Sequence, residues 1–409
     1  MRKILFIGQF SDTSGYGYAA RSYLQTFSKI KNIDLKILNF SFEKREIDDD
    51  LVTNYKFFDN LKVKKGKYSL SESEKLLSYY KENEYEVVFF LTNDWMRFGK
   101  KQNSILVNET VNLNLICRRS KKTYPCVVWE TDSIPDIWTE GYESLNNIEK
   151  LICACSWNAE VFKQKTNFET AVLPYFLQNS NNYDHDYYEK LRTLKGNRFA
   201  FCNVSQWSPR KGNEELIKAF YSEFKDEDVI LFLKTYTNQA FGKEDENNTL
   251  VNIIKRIKNQ ISHYGRTIEY KCKVVLIDKL ISKEMINSIY KVSDCYATCT
   301  KGEGFGLPIA EFLINTEGSV VCPDKGGHLD FCDDNVYYIK SEYEQITIPL
   351  NHHYSEIEMN LVQVNLRSTR KKMREAFLNR ENKNKSSFCK EYLSIDNTVS
   401  TLKKILEIK

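Results

Sequence analysis

The sequence predicts an α/β protein with two Rossmann-like, doubly wound domains, and three observations carry that reading. Its candidate strands are short, nearly continuous apolar runs, the pattern of parallel strands covered on both faces. These runs alternate with helix-like stretches, which is the βαβ pattern. The alternation occurs twice, on either side of a sharply polar stretch at residues 178–186. At 409 residues the chain exceeds one ordinary core and suits two.

In the first half, residues 5–7, 35–38, 87–91, 127–129 and 152–154 read as strands, and 18–28 and 72–81 as helices. A linker is expected between about 176 and 197. The second half reads as strands at 199–204, 229–234, 273–277, 295–297 and 319–322, with helices at 214–224, 250–261, 283–290 and 309–315. From about 355 the tail reads as mostly helical, with 379–385 as a solvated connector. The expected domains are therefore 1–180 and 197–385, followed by a terminal helical segment, 386–409.

Composition narrows the class. Hydrophobic content of 42% and charged content of 28% are those of a globular protein, and a net charge of +4 does not single out a nucleic-acid binder. No leader-like segment and no run of 18 apolar residues is present, so a cytoplasmic protein without a transmembrane segment is expected. Eleven cysteines lack any CxxC pair. Cys126, Cys153, Cys155, Cys202, Cys295 and Cys322 fall in or beside apolar runs, as small buried hydrophobes of a reducing compartment do. Asp184-His185-Asp186 mimics a DxD metal motif but lies in the polar linker, and Asp226-Glu227-Asp228 reads as a turn. No metal site is expected.

The most informative segment is Lys301-Gly-Glu-Gly-Phe-Gly-Leu-Pro-Ile-Ala-Glu311. Pro308 suits the first turn of a helix, where its missing N–H costs nothing. Gly304, Phe305, Gly306 and Leu307 then form a loop at a helix N-terminus, where backbone N–H groups and the helix dipole favour an anion. Glu303 precedes this loop and Glu311 lies about one turn into the helix, each able to accept hydroxyl groups on either side of a bound phosphate. A ligand with hydroxyls, phosphates and hydroxyls in that order is a nucleotide sugar.

Glu-x7-Glu with an internal GFGLP resembles the donor-site signature of retaining glycosyltransferases of GT-B architecture, in particular their large fourth family. The resemblance implies two Rossmann-like domains facing a cleft, with a last helix that crosses back onto the first domain. It implies that Glu303 contacts the transferred sugar and Glu311 the ribose. A second match is Phe201-Cys-Asn-Val-Ser-Gln-Trp-Ser-Pro-Arg-Lys-Gly212. The family usually has Gly-Arg, four residues, then Lys-Gly. Lys211 and Gly212 fit, but Gln206 stands at the arginine position, and Arg210 is the other candidate for that role. Fixed cations here would stabilise the charge left on a departing nucleoside diphosphate.

Two further segments belong to the first domain. Gly15 and Gly17, in a loop after the first strand, fit a dinucleotide fingerprint and in the resembling family approach the donor diphosphate. Arg21, next to them, reads as a surface residue. Glu130 and Asp132, after a later strand, are candidates to orient the acceptor hydroxyl or receive its proton. The alternative reading is a capped turn, with Asp132 or Ser133 as the N-cap. Lys325 and His328 stand beside a Gly-Gly turn that shapes the site floor in the family. Base and sugar selectivity would rest on loops around Lys234, 278–281 and 93–95.

The resemblance thus implies a nucleotide-sugar donor, no required cofactor or metal, and a hydroxyl-bearing acceptor, carbohydrate or other, entering from the first domain. Basic stretches at 62–67, 118–122 and 367–374 read as solvated faces, and the first two leave nucleic acid open as an acceptor. Two other functions compete. A NAD-dependent oxidoreductase would use the Gly15 loop, but Asn39 stands where an acid is wanted. A non-catalytic nucleotide- or glycan-binding protein would not need Glu303, Glu311 and Lys211 together.

Overall fold

The computed structural model describes residues 1–12, 14–39, 54, 78–90, 106–107, 111–236, 249–261, 269–332, 336–346, 359–381 and 387–408. The expected helix at 72–81 falls mainly outside them, as do 62–67 and 93–95. The chain divides into two compact units, one chiefly Met1–Leu177 with Tyr392–Lys409, the other chiefly Gln178–Leu350 with Asn360–Glu391.

The first unit holds a parallel sheet of β1 (Arg2–Gly8), β2 (Ile33–Asn39), β3 (Tyr85–Phe90), β4 (Lys122–Val127), β5 (Leu151–Cys153) and β6 (Thr170–Val172). Their order is β2-β1-β3-β4-β5-β6. Every residue of β3 is buried, which matches a strand covered on both faces. Helix α1 (Gly15–Ser28) follows β1 and is capped by Ser14, whose hydroxyl accepts from the Gly17 N–H.

The strand expected at 127–129 lies five residues earlier and contains Pro125. Proline is tolerated there because the ladder on the β5 side is interrupted. Thr123 bridges Ile148 and Cys126 pairs with Ile152, while the Thr123 N–H on that side bonds Asn147 outside the strand.

Of the terminal segment, Tyr392–Lys409 belongs to the first unit, while the residues up to Glu391 belong to the second. Helix Ile395–Ile405 packs against α1, and the fully buried hydroxyls of Thr26 and Thr398 meet at 3.3 Å. The Arg2 guanidinium donates to the Leu406 carbonyl and pairs with Glu86.

The second unit repeats the architecture with β7 (Phe199–Val204), β8 (Val229–Lys234), β9 (Lys273–Ile277), β10 (Cys295–Ala297), β11 (Ser319–Pro323) and β12 (Val336–Ile339). All pairs are parallel, in the order β9-β8-β7-β10-β11-β12. Val229, Leu231 and Leu233 alternate onto one face of β8 and enter a core with Phe201, Phe220, Phe224 and Met373.

Several expectations change here. The stretch expected to be a linker contains a helix, His185–Lys195, and Asp184 is its N-cap, accepting from the Tyr187 N–H at 2.8 Å. That use explains the DxD-like sequence. Before the helix Leu366–Leu378 the tail forms a strand, Asn360–Val364, antiparallel to Ser341–Gln345. The basic stretch 367–374 is not simply solvated: Arg370 and Arg374 both grip Glu223, at 3.1 and 2.8 Å, and Arg374 also lies over the Phe224 ring.

All eleven cysteines are buried and free of disulfides. Burial pushes the Cys202 thiol up to about 12, in keeping with a packing role. Among the described residues no helix is long and apolar enough to cross a membrane. Leu402 of the terminal helix is fully buried. Leu402→Ala is expected to lower the stability of the first unit by about 2–5 kcal/mol in urea melts.

A candidate active site where the strand order reverses

In the second sheet, successive crossovers from β7 run outward through β8 to β9, while β10 returns to the opposite side of β7. The carboxyl ends of β7 and β10 therefore part in opposite directions, and open α/β sheets bind ligands at such a switch point. The loops leaving these two strands carry Lys211 and Glu303.

Their meeting depends on a glycine. The 3-10 turn Pro209–Lys211 ends at Gly212, whose φ of 62° is left-handed. A Cβ there would sit 2.0 Å from the Cys299 carbonyl oxygen, so no other residue allows this approach. The turn is fastened by the Lys301 N–H to the Arg210 carbonyl at 2.6 Å, and by Arg210 Nη1 to the Gly302 carbonyl at 2.6 Å.

Lys211 Nζ then lies 2.5 Å from Glu303 Oε1, with the two side chains 15% and 12% exposed. Thr300 Oγ1 donates to the same carboxylate oxygen at 2.9 Å. Burial pushes the Glu303 carboxyl up, but the charges of Lys211 and Arg210 and the bonds from Lys211 and Thr300 outweigh it. The result is a carboxyl held below its ordinary range. The Gly327 N–H supports the Glu303 carbonyl at 2.8 Å, so the Gly-Gly turn underpins the glutamate's backbone.

Helix α2 (Leu307–Asn315) begins just beyond. Leu307 is its first residue, two positions earlier than expected, because Gly306 is the N-cap with φ 91° and releases the chain directly into the helix. The loop is thus Gly304 to Gly306. Phe305 is buried and packs on Phe331 with ring centroids 5.1 Å apart, so its side chain serves the core and leaves only its backbone for a ligand. Glu311 falls one turn into the helix. Its Oε1 pairs with Lys283, and its Oε2 accepts from the Tyr290 hydroxyl at 3.2 Å. Burial, helped by the Glu311 charge, pushes the Tyr290 phenol well up, so it stays a donor.

Gln206 lies half-buried in the loop after β7, and its side chain makes no hydrogen bond among the described residues. The neighbouring cation, Arg210, is turned toward Gly302. Lys325 is drawn away to the Ser341 carbonyl at 2.6 Å, and His328 is fully buried with its Nε2 donating to the Pro323 carbonyl at 2.8 Å.

Gly15, Gly17, Glu130 and Asp132 lie in the first unit. A Cβ on Gly17 would approach the Asp12 carbonyl oxygen to 2.1 Å, so the chain's own backbone accounts for this glycine. Arg21 is no plain surface residue, because it clamps the same loop by donating to the carbonyls of Phe10 and Asp12, both at 2.7 Å. Glu130 and Asp132 are half-buried after β4, flanking Thr131 and the buried Trp129, whose indole donates to Thr131 Oγ1 and to the Ser133 carbonyl. The N-cap of the next helix, Asp136–Glu143, is Pro135, so neither Asp132 nor Ser133 caps it. Among the described residues no cluster of three His, Cys, Asp or Glu could hold a metal ion.

Thr300, Lys283 and Tyr290 were not singled out by sequence. Thr300 sits three residues before Glu303, and the others are brought in by helix Lys283–Val292 from more than twenty residues away.

No family model matches the chain, and no curated protein matches it. Solved structures do. Anabaena HepE in complex with UDP-glucose is similar with a TM-score of 0.58 at 15% identity over 100% of both chains. A Burkholderia xenovorans α,α-trehalose-phosphate synthase (UDP-forming), in complex with glucose-6-phosphate, gives 0.61 at 8% identity over 99% of this chain and 100% of that one. The N-terminal domain of a Candida albicans trehalose-6-phosphate phosphatase gives 0.61 at 10% identity over 100% and 97%. The chain has the GT-B fold. At these identities the likeness speaks to architecture, and the two six-stranded parallel sheets of this GT-B chain account for it.

Two outcomes test the site's construction. Gly212→Ala is expected to lower the second unit's stability by about 1–3 kcal/mol or more, read as a fall in thermal midpoint. The second outcome concerns pH. Because the native Glu303 carboxyl is depressed, its stabilisation is complete above the unfolded glutamate value, about 4.3, and disappears as pH falls through the native one. The stability gap between wild type and Glu303→Gln, from urea melts, should therefore be wide near about pH 6 and close as acid protonates the native carboxyl.

Proposed function

We propose that this protein is a retaining glycosyltransferase that moves a sugar from a nucleotide sugar to an acceptor hydroxyl. The carrying observation is the largely enclosed Lys211–Glu303 pair set beside the helix start at Gly306, at the strand-order reversal. A diphosphate laid over that helix start would meet backbone N–H groups and the positive end of the dipole. Lys211, with three N–H donors, has capacity for phosphate as well as for Glu303. Glu303 Oε1 is engaged by Lys211 and Thr300, which leaves Oε2 to accept a sugar hydroxyl. Glu311, one turn on, is placed to accept from a ribose. The solved complexes of HepE with UDP-glucose and of an Escherichia coli protein with UDP-2-fluoro glucose support a uridine nucleotide as the first donor to test.

Catalysis on this reading is electrostatic. As the sugar–phosphate bond breaks, charge grows on the leaving diphosphate, where fixed donors need no reorganisation. Glu303 positions the sugar and stabilises positive charge developing on its ring, and the departing phosphate takes the acceptor proton. No metal takes part in this scheme. Glu130 and Asp132 are proposed to orient the acceptor. The oxidoreductase reading fares worse, because Asn39 at the end of β2 is tied to Ser11 at 2.6 Å and offers no carboxylate to a ribose.

Incubation with a panel of radiolabelled nucleotide sugars and hydroxyl acceptors tests the reading, with the product anomer read by NMR. Transfer with the donor's anomeric configuration kept is expected, unaffected by EDTA. Glu303→Gln and Lys211→Ala should each lower kcat by about 100-fold or more. Wild-type turnover in Glu303→Gln, or a thermal shift with NAD and with no nucleoside diphosphate, would exclude this site.

A further inference from the structure

Lys234 ends β8 and is only 5% exposed. Its ammonium carries three donors, yet its contacts among the described residues are a 3.4 Å approach to the Thr235 carbonyl and the Tyr236 ring at 5.3 Å. No carboxylate lies within ion-pair distance of it among the described residues. The adjacent Thr235 hydroxyl is buried with no hydrogen-bond partner. An enclosed ammonium without an anion is costly, and burial holds Lys234 below the ordinary lysine range, opposed only by the more distant Asp278. Among the described residues an unpartnered hydroxyl thus adjoins an ammonium with one long hydrogen bond and no anion, a combination that folding alone does not explain.

The sheet register says where this lysine lies. Phe232 pairs with Cys202, and Cys202 with Tyr296, so the three share one face of the sheet. Lys234, two residues beyond Phe232, lies on that face at the carboxyl edge. The Tyr296 ring packs on Phe312 of α2 and on Tyr290, the residue that bonds Glu311. The Tyr296 hydroxyl donates to the carbonyl of Val204, the residue paired with Lys234. Lys234 and Glu311 thus sit over the same face and the same edge.

We propose that Lys234 is a donor-binding residue whose ammonium takes an anionic oxygen of the phosphate nearer the nucleoside. The inference rests on the nucleotide-sugar reading above and extends it by a second cation, one strand to the other side of β7 from the Glu303 loop. A phosphate completes the missing charge, and the Thr235 hydroxyl is available to the same group.

The test compares the full-length protein with Lys234→Met and Lys234→Arg, titrating uridine, guanosine and adenosine diphosphates and the matching nucleosides by calorimetry, with thermal melting alongside. Methionine removes an unpaired buried charge, so the free variant should melt at or above the wild-type temperature. Its affinity for the diphosphate that wild type binds should fall by about tenfold or more while nucleoside affinity holds. Wild-type diphosphate affinity in Lys234→Met overturns the proposal, as does an equal loss for nucleoside and diphosphate. If wild type binds none of the diphosphates, the nucleotide-sugar reading itself fails, and that result is separate from either outcome.

Discussion

The close approach of Gly212 to the Cys299 carbonyl is the constraint on which the candidate site depends. Two loops leave the sheet from neighbouring strands, and nothing in their own conformations would bring a lysine and a glutamate together. The glycine removes the Cβ that would hold them apart, and the Lys301–Arg210 backbone bond locks the contact. Lys211 is then delivered to Glu303 by backbone geometry, so the ion pair forms without demanding much of a long side chain. This matters energetically. A largely enclosed pair is stabilising only when its geometry is good, and removing one partner leaves a poorly solvated charge behind. Thr300 on Oε1 and the backbone anchor at Gly327 fix the geometry, and Oε2 keeps acceptor capacity for a ligand hydroxyl.

The same economy runs through the start of α2. Gly306 supplies a left-handed N-cap, Pro308 occupies the first turn where no N–H is needed, and Phe305 anchors the loop from beneath. The result is a helix terminus held from the core side, with its polar end at the edge where the strand order reverses. Arg210, read from the sequence as a candidate phosphate cation, braces Gly302 through Nη1. Its charge still acts on Glu303 through space, so its contribution is to the acidity of the carboxyl as well as to the loop.

Much of this was legible in the sequence, for physical reasons that differ by element. The strands at 199–204, 229–234, 273–277 and 295–297 match expectation to the residue. Three of them hold apolar runs of four or five residues bounded by polar breaks, and β10 is short but flanked by charged and polar residues. The helix His185–Lys195 was hidden because only Leu191 among its residues is buried, so it carries almost no apolar stripe. Lys122–Val127 was misplaced because Pro125 argues against a central strand, and only the gap in the ladder beside it removes the objection. Within the site, Glu303, Lys211 and the Gly-Pro punctuation were visible because they are local. The partners of Glu311 were not, since Lys283 and Tyr290 reach it from another helix and no spacing rule links them.

Buried charge in the second unit is distributed unevenly, and the unevenness has a direction. Glu303 and Glu311 each have a lysine and a hydroxyl donor, so both carboxylates have a counter-charge before any ligand arrives. Lys234 has no comparable partner among the described residues. An enclosed region with paired acids and an unsatisfied cation is complementary to an anion, and it stays so only if the lysine is kept from finding a carboxylate of its own. Lys234 stands on the central strand β8, where its register partners Val204 and Ile277 carry no acid, and no carboxylate pairs with it among the described residues. A lysine at a solvent-facing helix position would find water or a neighbouring acid at little cost. With no carboxylate partner among the described residues it is a costly charge that the proposed phosphate would relieve, so stability and donor affinity are expected to move in opposite directions when that charge is removed.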